Sequence, residues 1–246
     1  MLSKTQSKYI RSLAIQKFRE ETGCFIAEGE KIAGEWLLSE QKVEQIAALP
    51  SWISEHEALI ARHPDARVTP VTEEELKTIS TLQSPNKVLL VVKLPAPNSS
   101  SAIPAGSGIA LDGIRDPGNM GTILRIADWY GIPYVLCSQD CVDIYNPKVV
   151  QSAMGAHLRV KAIYCDLAAT LLHSGKTIWA ALLGGTDYRS LTPQVEGILV
   201  IGNEGQGIRP ETLPPGALAT TIPKKGGAES LNAAISTGIL CAHFFG

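Results

Sequence analysis

GIALDGIRDPGNMGTILRIADWYGIPYVLCS, residues 108–138, decides the architecture of the second half of the chain. GIALD is too short an apolar run for a helix and predicts a strand ending at Asp112. Pro117 suits the first turn of a helix. Ile123, Leu124 and Ala127 recur at helical spacing, which predicts a helix over 117–130 with an apolar face. PYVLCS then restarts as a strand. Further along, VVQSAMGAH, RVKAIY, LAATLLH, TIWAALL, GILVIG and a last helix from about Glu229 continue the alternation. Strand and helix repeated in that order predict a parallel, layered α/β sheet. Periodicity alone gives an unknotted, doubly wound arrangement, because knots are rare.

Upstream, KLPAPNSSSAIPAGSG (residues 93–108) replaces large apolar residues with Pro, Ser, Gly and Ala, so 96–107 is expected to be a linker. It separates a small α/β domain over 1–95 from a larger one over 108–246. The first contains helical patterns, SLAIQKF and EKIAGEWLLSE, and closes on a β-rich run, KVLLVVKL.

The 246 residues carry a net charge of −2, so no bulk positive field announces a nucleic-acid partner. A local one is available on the opening helix, where Lys4, Lys8, Arg11, Lys17 and Arg19 precede the first acidic residue, Glu20. No apolar run is long enough to span a bilayer, and the first twenty residues lack the apolar block of a secretory signal, so no membrane association and a cytoplasmic location are expected. Five scattered cysteines form no paired framework. Cys137 and Cys141 lack a second pair or a nearby histidine to complete a metal site, so they are expected to be small buried thiols with no metal.

In open parallel sheets ligands bind beyond the carboxyl ends of the strands. Three such ends carry unusual residues. After GIALD come Asn119, Gly121 and Arg125; Asn119 lies near a helix N-terminus, where free N–H groups favour an anion, or else acts as an ordinary cap. GILVIG ends in Gly202, Asn203, Glu204, Gly205 and Gly207, which permit a tight turn and close approach of a ligand to backbone. IPKKGGAESLNAA, residues 222–234, brings Ser230, a cap for the final helix, and Asn232, both donor and acceptor. The glycine spacing is that of neither a dinucleotide fold nor a P-loop, and no Ser/His/Asp or Cys/His arrangement stands out.

These segments resemble the SpoU/TrmH-type RNA ribose 2′-O-methyltransferases of the SPOUT superfamily. The motifs occur in family order and spacing: Asn119-x-Gly121-x3-Arg125, Gly202-x-Glu204-Gly205, and Ile222-Pro223-x2-Gly226-x3-Ser230-Leu231-Asn232. FIAEGEKIAGEWL resembles, less distinctly, the ribosomal-protein-like domain with which many members bind RNA. The resemblance implies a deep trefoil knot in the C-terminal domain, S-adenosylmethionine as cofactor, a homodimer, and tRNA or rRNA as substrate. By position, it implies cofactor contacts around Leu182, Ile201, Gly202, Ile222 and Leu231, and a catalytic set of Asn119, Arg125, Glu204, Ser230 and Asn232. Arg125 would serve as base or as phosphate clamp; a guanidinium is hard to deprotonate, which makes the clamp physically easier. Lys224 stands where members often carry Met. A catalytically inactive RNA-binding module and a dinucleotide-binding enzyme are the alternatives.

Overall fold

The computed structural model describes residues 2–96, 103–194 and 196–246. Residues 97–102 of the expected linker lie outside these. Two compact units emerge: residues up to 99 together with 145–158, and residues 100–144 together with 159–246.

In the first unit α1 (Lys4–Ser12) and α2 (Gln16–Thr22) lead into β1 (Cys24–Glu28), α3 (Glu30–Leu38), β2 (Val43–Ala48), α4 (Pro50–Glu55), α5 (Glu57–Ile60), β3 (Arg67–Pro70), α6 (Glu73–Ile79) and β4 (Val88–Lys93). The helical pattern SLAIQKF straddles a break between α1 and α2. Ser12 Oγ donates to the Tyr9 carbonyl at 2.7 Å, and Arg19 folds inward to donate to the Leu13 carbonyl at 2.9 Å. Arg19 is therefore buried and leaves the basic face expected for it, while Lys4, Lys8 and Arg11 remain exposed on α1.

The four-stranded sheet runs β1-β4-β2-β3, with β4 antiparallel to both neighbours. β4 is apolar on both faces because both are covered. Val88, Leu90 and Val92 pack with Phe25, Trp36 and Trp52 on one side. Leu89 and Val91 pack with Ile10, Leu13, Leu76 and Ile79 on the other.

The second unit begins with β5 (Gly108–Asp112), α7 (Pro117–Trp129) and β6 (Tyr134–Cys137). The chain then supplies α8 (Pro147–Ala153), which belongs to the first unit; there Val150 enters the Trp36–Trp52 cluster and Tyr145 packs on Phe25 with ring centroids 4.7 Å apart. β7 (Lys161–Tyr164), α9 (Leu167–Leu172), β8 (Thr177–Asp187), β9 (Gly197–Gly202), β10 (Leu218–Thr221) and α10 (Ala233–Phe244) complete the second unit.

Its six strands lie in the order β10-β8-β9-β5-β6-β7, all parallel. Alternate residues Ala110, Leu136, Ala180, Ile198 and Val200 form a core with Leu167 and Leu171 of α9. Trp179 stacks instead on Phe244 of α10, with centroids 4.3 Å apart. α10 begins at Ala233, not near Glu229, because Asn232 closes its first turn and 222–232 run as irregular chain.

Candidate active site

β5 and β9 are neighbours, with Asp112 opposite Gly202 at their carboxyl ends. The chain leaves β5 toward β6 and leaves β9 toward β10, so the two connections part in opposite directions there. That is the switch point at which open α/β sheets bind ligands. The Asn119 and Glu204 segments both start at it, and the Asn232 segment arrives from β10.

Asn119 joins all three. Its Nδ2 donates to Glu204 Oε1, and its Oδ1 accepts from Asn232 Nδ2 at 2.8 Å. Asn232 Oδ1 in turn accepts from the backbone N–H groups of Ala234 and Ile235, at 2.9 and 3.2 Å. Every bond donates in one direction, from the free N–H groups of α10 through two amides to the Glu204 carboxylate. Aligned hydrogen bonds of this kind polarise one another. The arrangement also fixes which way each amide faces, since a carboxylate only accepts and a backbone N–H only donates.

Two capping expectations are corrected. Asp116, not Asn119, caps α7, accepting from the Asn119 N–H at 2.7 Å, so a carboxylate of the chain itself already occupies that part of the helix N-terminus. Asn232, not Ser230, caps α10.

Arg125 is six residues beyond Asn119 on α7, two-thirds of a turn out of phase with it. It is exposed, and it has no hydrogen bond or ion pair among the described residues. Ser230 is likewise exposed and without a hydrogen bond among the described residues. Of the five polar residues expected to act together, the fold brings together Asn119, Glu204 and Asn232.

The turn that carries Glu204 is closed on itself and fastened at both exits. Asn203 and Gly207 exchange backbone hydrogen bonds of 3.1 and 2.8 Å. Gly202 lies under this turn; a Cβ there would stand 2.2 Å from the Gly207 carbonyl carbon, so only glycine fits. Asn203 Nδ2 donates to the Gly113 carbonyl at 2.8 Å. On the other exit, Arg209 reaches Asp112, whose carboxylate is fully buried. Asp112 Oδ1 accepts from Arg209 Nε at 2.8 Å and from Arg209 Nη2, while Oδ2 accepts from the Arg209 N–H at 2.8 Å and Thr212 Oγ1 at 3.0 Å. Asp140 adds a second carboxylate at 3.2 Å from Arg209 and also holds exposed Arg115 at 3.2 Å. A 2.6 Å bond from Ser138 and these guanidinium groups hold the Asp140 carboxyl below the usual carboxylate range. Asp112 raises Arg209 above the ordinary guanidinium value. Sequence patterns gave no signal for Arg209, Ser138 or Asp140; Asp112 was visible only as the polar end of an apolar strand.

Of the positions expected to hold a cofactor, Ile201 is buried within β9, Gly202 ends that strand, and Ile222 directly follows β10. Leu182 lies where β8 leaves its ladder: adjacent residues Ala219 and Thr220 of β10 pair with Ala180 and Thr186, so 181–185 stand out of register. Thr220 Oγ1 beside this excursion is fully buried and has no hydrogen-bond partner among the described residues. Leu183 and Leu231 are exposed, and the backbone at Gly184, Gly226 and Gly227 is open. Exposed apolar side chains and open backbone at neighbouring strand ends fit a ligand with an apolar ring and a polar tail. No group of acidic, thiol or imidazole side chains arranged to hold a metal ion occurs among the described residues.

The family model of the SpoU rRNA methylases matches residues 107–242. The chain belongs to the SpoU rRNA methylase family. The model of an MRM3-like substrate binding domain matches residues 4–90, so family features cover both units. The chain is 27% identical over 242 residues to the 23S rRNA (guanosine(2553)-2′-O)-methyltransferase RlmP of Bacillus subtilis, covering 96% of this chain and 94% of that one. A TrmH-family protein of Porphyromonas gingivalis superposes with a TM-score of 0.84 at 36% identity, over 99% of this chain and 98% of that one. An AdoMet-bound rRNA methyltransferase from Sinorhizobium meliloti superposes with a TM-score of 0.85 at 29% identity, over 98% and 94%. The three segments that Asn119 ties together all lie within the matched residues 107–242.

Proposed function

We propose that this chain is an S-adenosylmethionine-dependent RNA methyltransferase that methylates a ribose 2′-hydroxyl. The observation that carries the proposal is the Asn119 joint, which unites at the sheet's switch point the three segments that resemble SpoU motifs. S-adenosylmethionine, when bound, supplies an electrophilic methyl group on a sulfonium. Backbone around Leu182, Ile201, Gly202, Ile222 and Leu231 would hold it, with exposed Leu183 and Leu231 as the neighbouring apolar surface. A ribose hydroxyl is weakly acidic, so the chain's task is to align it, exclude water and lead its proton away. Arg125 clamps the phosphate of the target nucleotide, and the Glu204–Asn119–Asn232 chain holds the motif loops in register, with Ser230 facing the same ligands.

Residues 1–95 serve as the RNA-binding domain, 96–107 as linker and 108–246 as the methyltransferase domain, apart from 145–158, which pack with the first unit; the match of a substrate binding model to 4–90 supports this. The relation to RlmP favours ribosomal over transfer RNA. No helix among the described residues is long and apolar enough to cross a membrane. The location proposed for the enzyme is the cytoplasm.

We also propose a homodimer. Thr122, Arg125 and Trp129 form one exposed stripe on α7, and α10 packs beside it with Ile235 exposed. Trp129 is 84% exposed, and a second copy of this chain would cover it and enclose Arg125. A trefoil knot over the last segment completes the proposal, supported by the return of the chain from edge strand β10 across β8 to pack α10 on β9 and α7. Stretching the denatured chain in an optical trap tests it: an extension short of the contour length is expected, and full extension removes the knot.

The test of activity is transfer of label from tritiated S-adenosylmethionine to ribosomal or transfer RNA from cells lacking the gene, followed by mapping of 2′-O-methyl sites. Labelling of ribose in ribosomal RNA is expected. Labelling confined to bases, or none, overturns the proposal.

A further inference from the structure

We propose that Arg209 is a positioning residue for methyl transfer, acting through the turn that carries Glu204. The inference rests on the function proposed above. Glu204 itself is exposed, and among the described residues its side chain is tethered to the remainder of the site only through Asn119. What holds the turn in place is its two exits, and they differ in kind. The entry is neutral: Asn203 Nδ2 to the Gly113 carbonyl. The exit is ionic and many-pointed, with the Arg209 N–H, Nε and Nη2 all on Asp112, and Nη2 also 3.2 Å from Asp140.

Asp112 is the last residue of β5, and α7 with Asn119 begins five residues beyond it. The Asp112–Arg209 clasp therefore fastens the Glu204 turn to the strand from which its partner Asn119 springs. The planar guanidinium fork specifies direction as well as distance, which a lysine's single ammonium does not. All four charges of the cluster, Asp112, Asp140, Arg115 and Arg209, are paired within it. The cluster thus offers no net charge to RNA, which favours positioning over substrate binding as the role of Arg209.

The test compares wild type, Arg209→Ala, Glu204→Ala and the double variant for kcat, KM for RNA and cofactor affinity by calorimetry, with Glu196→Gln at the opposite sheet end as control. Arg209→Ala is expected to lower kcat about 100-fold, the scale of a small misplacement of reacting groups, with KM for RNA little changed. In the Glu204→Ala background the same change is expected to lower kcat less than about twofold, since a residue that acts through Glu204 has nothing left to position. Wild-type kcat in Arg209→Ala, or losses that multiply in the double variant, overturns the proposal. Arg209→Lys keeps the charge and guards against misfolding; hydrogen exchange at the Gly205 and Gln206 amides, which bond Asn203 Oδ1 in the turn, is expected to quicken in it. Unchanged exchange also overturns the proposal. A wild type that methylates no RNA refutes the function instead, and the exchange measurement still decides whether the clasp holds the turn.

Discussion

Asn232 donates its side-chain amide to Asn119 Oδ1 at 2.8 Å across 113 positions of the chain. The same Asn232 side chain caps α10, so one residue closes a helix and aligns a site. Because Asn119 passes the bond on to Glu204, a change at any of the three is felt by the others.

Asn119→Ala removes the shared partner of Glu204 and Asn232. Both partners are exposed and can turn to water, so the loss is expected at the net worth of a hydrogen bond, about 0.5–1.5 kcal/mol, to be measured by urea unfolding. Asn119→Asp places a second carboxylate against Glu204, and methyl transfer is expected to fall further than in the alanine variant. Equal activity of wild type and Asn119→Asp would show that the joint has no part in turnover.

Asn232→Asp separates the two duties of that residue. A carboxylate still accepts from the Ala234 and Ile235 N–H groups, so α10 is expected to keep its cap, whereas Asn232→Ala loses about 1 kcal/mol of helix stability. Neither variant can donate to Asn119, and both are expected to lose methyl transfer. Thermal unfolding and turnover, measured on the pair, check both statements.

Arg125→Ala touches no internal hydrogen bond, so stability is expected to stay within about 0.5 kcal/mol of wild type. Cofactor affinity by calorimetry should also be retained, while methyl transfer is abolished. Weakened cofactor binding would assign Arg125 to the cofactor and not to the RNA.

Trp129→Glu puts a charge at the centre of the exposed α7 stripe. Sedimentation velocity is expected to show a dimer for wild type and a monomer for the variant. An unchanged dimer would place the contact on another face.

Asp140 predicts an acid-side loss of stability. Its folded carboxyl lies below the ordinary value, mainly through the Ser138 hydrogen bond and then Arg115 and Arg209. Such a group contributes stability that is fully present above the unfolded pKa and is lost as pH falls through the folded one. Urea midpoints measured from about pH 6 down to about pH 3 should therefore fall less steeply in Asp140→Asn than in wild type.

Much of this was legible in the sequence because it is local. GIALD, Pro117 and the apolar spacing of 123–127 specify strand, helix start and buried face through contacts a few residues long, and β5 with α7 appears where they predict it. The polar residues at strand ends were visible for the same reason: Asn119, Glu204 and Asn232 interrupt small-residue turns after apolar runs. What stayed hidden depends on pairing at a distance. Capping was assigned to Ser230 because serine caps well, yet which residue caps is decided by where β10 delivers the chain, and it delivers Asn232. Arg209 carried no pattern; its partner Asp112 is 97 positions away, and only the register of β5 against β9 brings them together. α8 looked like one more crossover helix, but Val150 buries its apolar surface beside Trp36 and Trp52 in the first unit. Local spacing thus determined the elements and the chemistry available at their ends. Long-range burial and strand register decided which of those ends meet, because a hydrogen bond needs its partners within about 3 Å and the one-dimensional chain does not record that distance.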